Sequence, residues 1–187
     1  NYNTVVGDEA GTAVTTADYT TAIGYAAGLA VTTGVQNTLI GGLAGDALTT
    51  GSYNSLVGVN SGGALTTGAQ NVAFGQGALA TNTTGSTNTA LGDSSLSANT
   101  TASNNTAVGQ AALTANTTGA SNTSVGTQAG GAITTGNNNI CIGLLAGNHD
   151  GAISDGVHTN MTSNQTHTTR TTTTNLTVIR YNVNGPA

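Results

Sequence analysis

The sequence predicts an all-β protein, a parallel β-solenoid of the β-roll or β-helix kind, made of nine 17-residue coils followed by a C-terminal β-strand tail. Three observations predict it. Gly7, Gly24, Gly41, Gly58, Gly75, Gly92, Gly109, Gly126 and Gly143 recur every 17 residues without an insertion. The residue before each is large and apolar, usually β-branched: Val6, Ile23, Ile40, Val57, Phe74, Leu91, Val108, Val125 and Ile142. Finally, the unit is too short for a helix–turn–helix repeat, which takes roughly 33 residues or more. It suits one turn of short strands joined by tight turns. A coil of that size cannot bury its apolar residues alone, so stacking on its neighbours must do so.

The repeat covers residues 3–155, and residues 156–187 read as a Thr-rich tail with a terminal strand. Units open on Asn (Asn3, Asn37, Asn54, Asn71, Asn88, Asn105, Asn122, Asn139), with Thr20 the exception. Stacked Asn amides suit a hydrogen-bonded ladder from coil to coil. The column from Val6 to Ile142 reads as the inward core column, because branched side chains piled at about 4.8 Å suit stacked strands. The Gly that follows reads as a turn, at positive φ or where backbone passes closely.

Three residues past the Gly lies a small column: Ala10, Ala27, Ala44, Ser61, Ala78, Ser95, Ala112, Ala129 and Ala146. It implies a narrow interior. The two variable positions that follow compensate for one another. Where the first is Gly (Gly11, Gly28, Gly45, Gly62, Gly130), the residue three further on is Val14, Val31, Leu48, Leu65 or Ile133. Where it is Leu (Leu79, Leu96, Leu113), the later residue is Asn82, Asn99 or Asn116. Close packing tolerates a moved side chain better than a doubled one, so both positions should abut one core. Thr-Thr pairs, from Thr15-Thr16 to Thr134-Thr135, should present at most one side chain outward each.

By alternation, the residue before the Val/Ile column should face away from the core. That column includes Val5, Leu39, Leu56 and Cys141, and an apolar outer stripe suggests a subunit contact unless a tail or loop covers it. Leu39 and Leu56 are therefore candidate assembly residues. In the tail, Leu176, Val178, Ile179, Tyr181 and Val183 lie in a credible strand that could cap its own chain or add to a neighbour's sheet. The repeat starts at Asn3 with no room for a polar cap, so open sheet edges are expected to invite end-to-end association. A start at Asn1, without an initiator Met, reads as a processed chain or a fragment.

Composition narrows the function. Charged residues are 5%, Lys is absent, Arg occurs only as Arg170 and Arg180, and the net charge is −5. Nucleic acid and anionic membrane surfaces need clustered positive charge, so neither is an expected partner. No apolar run reaches the length of a spanning helix, roughly 20 residues. Cys141 is the only cysteine, which excludes an intrachain disulfide and a Cys-based metal site, and it reads as a buried, inert thiol. The acids form no repeated column, and His149, His158 and His167 fit no ligand spacing. No catalytic residue, cofactor or metal is expected, and the chain does not read as an enzyme. Tyr2, Tyr19 and Tyr53 share one column that could pack, ladder or bind sugar rings. Asn-x-Ser/Thr sequons include Asn82, Asn99 and Asn116 at one coil position and Asn160, Asn164 and Asn175 in the tail, all candidates for glycosylation.

Units such as Asn105-Thr106-Ala107-Val108-Gly109-Gln110-Ala111-Ala112 resemble the Asn-x-x-Val/Ile-Gly-x-x-Ala repeats of trimeric autotransporter adhesin heads. Phage tail-fibre and other surface-fibre proteins carry similar repeats, although the adhesin heads use a shorter unit. The resemblance spans residues 3–155 and implies a left-handed parallel β-roll, associating in threes, with the Val108 column inward and Gly109 turning the chain. The expected function is that of a structural subunit of an extracellular filament or surface fibre, at the cell or virion surface. Its expected partner is itself, through head-to-tail stacking of solenoid edges and tail-strand exchange, with glycans as a possible ligand. The alternatives are a host- or glycan-binding fibre or adhesin head, and an ice-binding protein using the Thr-rich face.

Overall fold

The computed structural model describes residues 2–148 and 156–159. It is all-β and forms a parallel β-solenoid. Ten three-residue strands stack in chain order into one parallel sheet: β1 (Thr4–Val6), β2 (Thr21–Ile23), β3 (Thr38–Ile40), β4 (Ser55–Val57), β5 (Val72–Phe74), β6 (Thr89–Leu91), β7 (Thr106–Val108), β8 (Thr123–Val125), β9 (Ile140–Ile142) and β10 (Val157–Thr159). Every partner is 17 residues away, as in Thr21↔Thr38 and Thr106↔Thr123. We number the coils from coil 1 at residues 3–19 to coil 9 at residues 139–155.

The sheet runs past the expected end of the repeat. Val157 pairs with Ile140, and the Gly156 N–H donates to Asn139 Oδ1 at 3.0 Å, so the ladder crosses the boundary expected at residue 155. Backbone pairing needs an extended chain in register, not the side chains of the repeat, so Gly156 can stand where earlier coils have Asn.

The core lies on the other side of the strands from the one expected. From β2 to β9 the middle residue of the strand points inward: Ala22, Leu39, Leu56, Ala73, Ala90, Ala107, Ser124 and Cys141 are fully buried, whereas Val5 in the first coil is 43% exposed. The column expected as the core (Val6, Ile23, Ile40, Val57, Phe74, Leu91, Val108, Val125, Ile142) points outward and is exposed or half-exposed, with Val6 57% and Phe74 45% exposed. Alternation puts these columns on opposite faces without saying which face is inside. Internal volume decides. The interior already holds the small Ala/Ser column and one large group from the variable positions, so a second continuous column of Val, Ile and Phe would overfill it. Branched residues outside the core still favour the extended backbone of the strand, which is why their column marked the strands correctly and the core wrongly.

The turn glycines behave as expected. Gly7, Gly24, Gly41, Gly58, Gly75, Gly92, Gly109, Gly126 and Gly143 have φ between 117° and 140°. A Cβ on Gly92 would also lie 2.6 Å from the Gly109 carbonyl, so conformation and space both exclude a side chain.

Three hydrogen-bond systems tie the coils together. Backbone bonds run between coils on several sides, and three successive N–H groups, those of Thr15, Thr16 and Ala17, converge on the Thr32 carbonyl at 3.2–3.3 Å. In the seven pairs that begin at Thr15 to Thr117, the first Thr adds its hydroxyl to the corresponding carbonyl of the next coil, from Thr15 to Thr32 at 2.9 Å through Thr117 to Thr134 at 3.1 Å. The second Thr is exposed in every pair. The expected Asn ladder is present and buried. Asn54 donates its backbone N–H and its Nδ2 to Asn37 Oδ1 at 3.0 and 3.1 Å, and Nδ2 also reaches the Gly68 carbonyl at 3.0 Å. At Thr20 the ladder breaks, and that buried hydroxyl has no partner among the described residues.

Candidate functional surfaces

The interior is built from three positions that share one volume. Coils 3 and 4 fill it with Leu39 and Leu56 on the strand and Leu48 and Leu65 later in the coil, all 0% exposed. The glycine opposite makes room: a Cβ on Gly45 would lie 3.0 Å from both Leu39 Cδ2 and Leu56 Cδ1. Coils 5, 6 and 7 use Leu79, Leu96 and Leu113 at that glycine position and shrink the strand residue to Ala73, Ala90 and Ala107. The compensation expected between two positions therefore extends to a third. Leu39 and Leu56 belong to the core, so the expectation that they form an assembly stripe is overturned.

Asn82, Asn99 and Asn116 are also inside, at 0% exposure. They form a second, short ladder: Asn99 Nδ2 donates to Asn82 Oδ1 at 3.0 Å and Asn116 Nδ2 to Asn99 Oδ1 at 3.1 Å. Each Nδ2 also donates to the carbonyl three residues on, at 2.9–3.0 Å. An amide enclosed in this way is not open to a glycan in the closed solenoid, which corrects the glycosylation expectation at these three residues. Asn160, Asn164 and Asn175 lie outside the described residues, as do Leu176, Val178, Ile179, Tyr181 and Val183.

What faces solvent is an uncharged, half-apolar sheet face. The first and third residues of strands β1 to β9 point outward together. The third residues form the Val6–Ile142 column, and the first are Thr or Ser except for Val72 and Ile140 in the nine coils. Tyr25, Val59, Leu144 and Val157 add further apolar surface, all more than half exposed. Sequence reasoning placed the Val6–Ile142 column inside. The signal that could have exposed the error was the size of the strand's middle residue, which is Leu only where the facing variable position is Gly.

The remaining candidates are isolated. Tyr2 and Tyr19 stack with ring centroids 4.9 Å apart, a ladder contact that occupies one face of each ring, and Tyr53 is exposed in the same column. The Glu9 carboxylate beside Tyr25 pushes that exposed phenol above its ordinary value, with Asp8 adding to the effect. Burial raises the Asp46 carboxyl despite hydrogen bonds from backbone, and burial likewise raises the Cys141 thiol, which is free and inside the core. A raised thiol is a poor nucleophile. Among the described residues no three His, Cys, Asp or Glu side chains converge on a point, and no helix is long and apolar enough to cross a membrane. No family model, curated protein or solved structure matches the chain.

Proposed function

We propose that this chain is a structural subunit of an extracellular filament or surface fibre that grows by continuing its coil ladder from one copy into the next. One observation carries the reading: successive junctions repeat the same bonds. The strand-entry N–H of Thr4 donates to the Thr20 carbonyl at 2.9 Å, that of Val72 to Asn88 at 2.8 Å, and that of Ile140 to Gly156 at 2.7 Å. The surface that a coil offers forward is thus complementary to the surface that any coil offers backward. A free coil edge of one copy would accept the free edge of another by the same pairing. The absence of Lys and Arg from the described residues supports an extracellular setting, since it removes tryptic sites from the rod. Negative-stain electron microscopy of the native protein tests the proposal. Thin filaments with an axial repeat near one rod length, about 43 Å for nine coils at 4.8 Å each, are the expected result. Discrete short particles at every concentration would overturn it and favour a glycan-binding fibre head, for which the exposed Tyr53 would be the first residue to test.

A further inference from the structure

We propose that the outward face of the sheet is an interface with a second copy of this chain, packed side by side with the coils in register. This goes beyond end-on growth, because rods can pair laterally whether or not they polymerise. The face is defined by the column that includes Ile40, Val57, Phe74, Leu91 and Val108, flanked by the outward Thr and Ser of the same strands.

Three features select a second copy as the occupant. Neither outward column contains a charged residue in any of the nine coils, so two such faces meet without burying an unpaired charge. The chain carries a net charge of −5, but its acids in the described residues lie off these two columns: Glu9, Asp18 and Asp46 elsewhere in the coil, and Asp8 and Asp93 in the neighbouring column that also holds Tyr25, Val59 and Leu144. The second feature is period. Side chains repeating at about 4.8 Å interdigitate along their whole length only with a row of the same repeat, and another solenoid of this sequence supplies one. The third is size. A strip about 43 Å long and roughly 11 Å wide covers about 470 Å² per copy, close to about 1,000 Å² for a pair. That is the lower end for specific association, so the pair should be concentration-dependent rather than obligate.

Sedimentation equilibrium of the full chain over a dilution series measures the association. A Cys141→Ser, Val108→Cys variant under mild oxidation then maps the contact, because residue 108 lies two coils inside the rod and end-on stacking cannot bring two copies of it together. The expected results are a reversible dimer or higher species, a covalent dimer through residue 108, and at least a tenfold weaker association for Phe74→Asn with an unchanged circular dichroism spectrum. Phe74 points away from the core, so its loss should leave the fold intact. A second variant, Val57→Thr, keeps the strand branched and should weaken association less. Monomers throughout the series, with the introduced thiol freely labelled, would falsify the proposal. Monomers with that thiol shielded from labelling overturn it as well, and would assign the face to another segment of the same chain. Filaments seen by microscopy without a residue-108 crosslink would refute lateral pairing and leave end-on growth standing.

Discussion

Coils 3 and 4 and coils 5 to 7 enclose the same space with different contents. In the first group two Leu side chains meet over a glycine, and the buried polar side chains are those of Ser61 and of the main Asn ladder, Asn37 and Asn54. In the second a single Leu is joined by an Asn, and a polar ladder runs down the middle of the core. The second solution carries two costs. Leu79, Leu96 and Leu113 adopt φ between 50° and 55°, a left-handed conformation that costs a non-glycine residue of order 1–3 kcal/mol. Its ladder also ends abruptly: Asn116 Oδ1 faces coil 8, which supplies Ile133 instead of Asn, and this buried acceptor has no partner among the described residues. The comparison teaches that a coil of this solenoid is specified by its total internal volume and by satisfied amides. No single position specifies it.

The largest expected effect comes from the feature that both groups share. Gly92→Ala forces a Cβ into the backbone of coil 7 at a φ of 134°, and should cost more than about 3 kcal/mol. Chemical denaturation should show a large loss of stability or no folded baseline, and a near-neutral result would show that adjacent coils separate easily.

The difference between the two groups is tested in coil 7. Leu113→Gly alone opens a cavity and should cost about 2–4 kcal/mol, while Asn116→Ile alone overpacks the core and should cost about 1–3 kcal/mol. Together they convert the coil to the glycine type found in coil 8, remove the strained Leu, and move the unpaired acceptor to Asn99. The double variant should therefore recover at least about 1.5 kcal/mol relative to the sum of the two. Additive losses in a double-mutant cycle would mean that the two positions do not share one volume.

A smaller gain is expected at the break in the main ladder. Thr20→Asn restores the amide between Asn3 and Asn37 and should raise stability by about 0.5–1.5 kcal/mol, read as a higher Tm. No gain would indicate that coil 2 lacks the width for an Asn.

The smallest effect concerns pH. Burial raises the Asp46 carboxyl in the folded state, so the folded chain holds that proton more tightly than the unfolded one. Its contribution favours folding in acid and is lost as pH rises through the raised value. Asp46→Asn should slightly stabilise the protein at neutral pH and flatten this part of the stability–pH curve. Because Asp46 is partly open to solvent, the change should be small. An unchanged curve would mean that solvent screens the carboxyl fully.

Much of this was legible in the residues. The period identified the coil, the glycines located its turn, the Asn column announced the ladder, and the Gly/Leu alternation revealed a shared volume. The core and the candidate surface were misplaced by one residue for a definite reason. In a strand of three residues, alternation relates neighbours to each other but not to the inside, and branched side chains favour extended backbone on either face. Buried sequons mislead in a similar way, since Asn-Thr-Thr reads the same whether its amide is solvated or laddered.

The sequence by itself determined a stack of identical coils, their register, the position of the turn and the existence of two sets of large and small residues that must pack together. Local rules and a strict period suffice for that, because each coil meets copies of itself. Tertiary structure alone decided which column lies inside. The interior is one closed volume supplied from several sides of the coil, so a residue's place depends on what the opposite side has already filled. That decision leaves Val, Ile and Phe outside as an uncharged stripe along the rod.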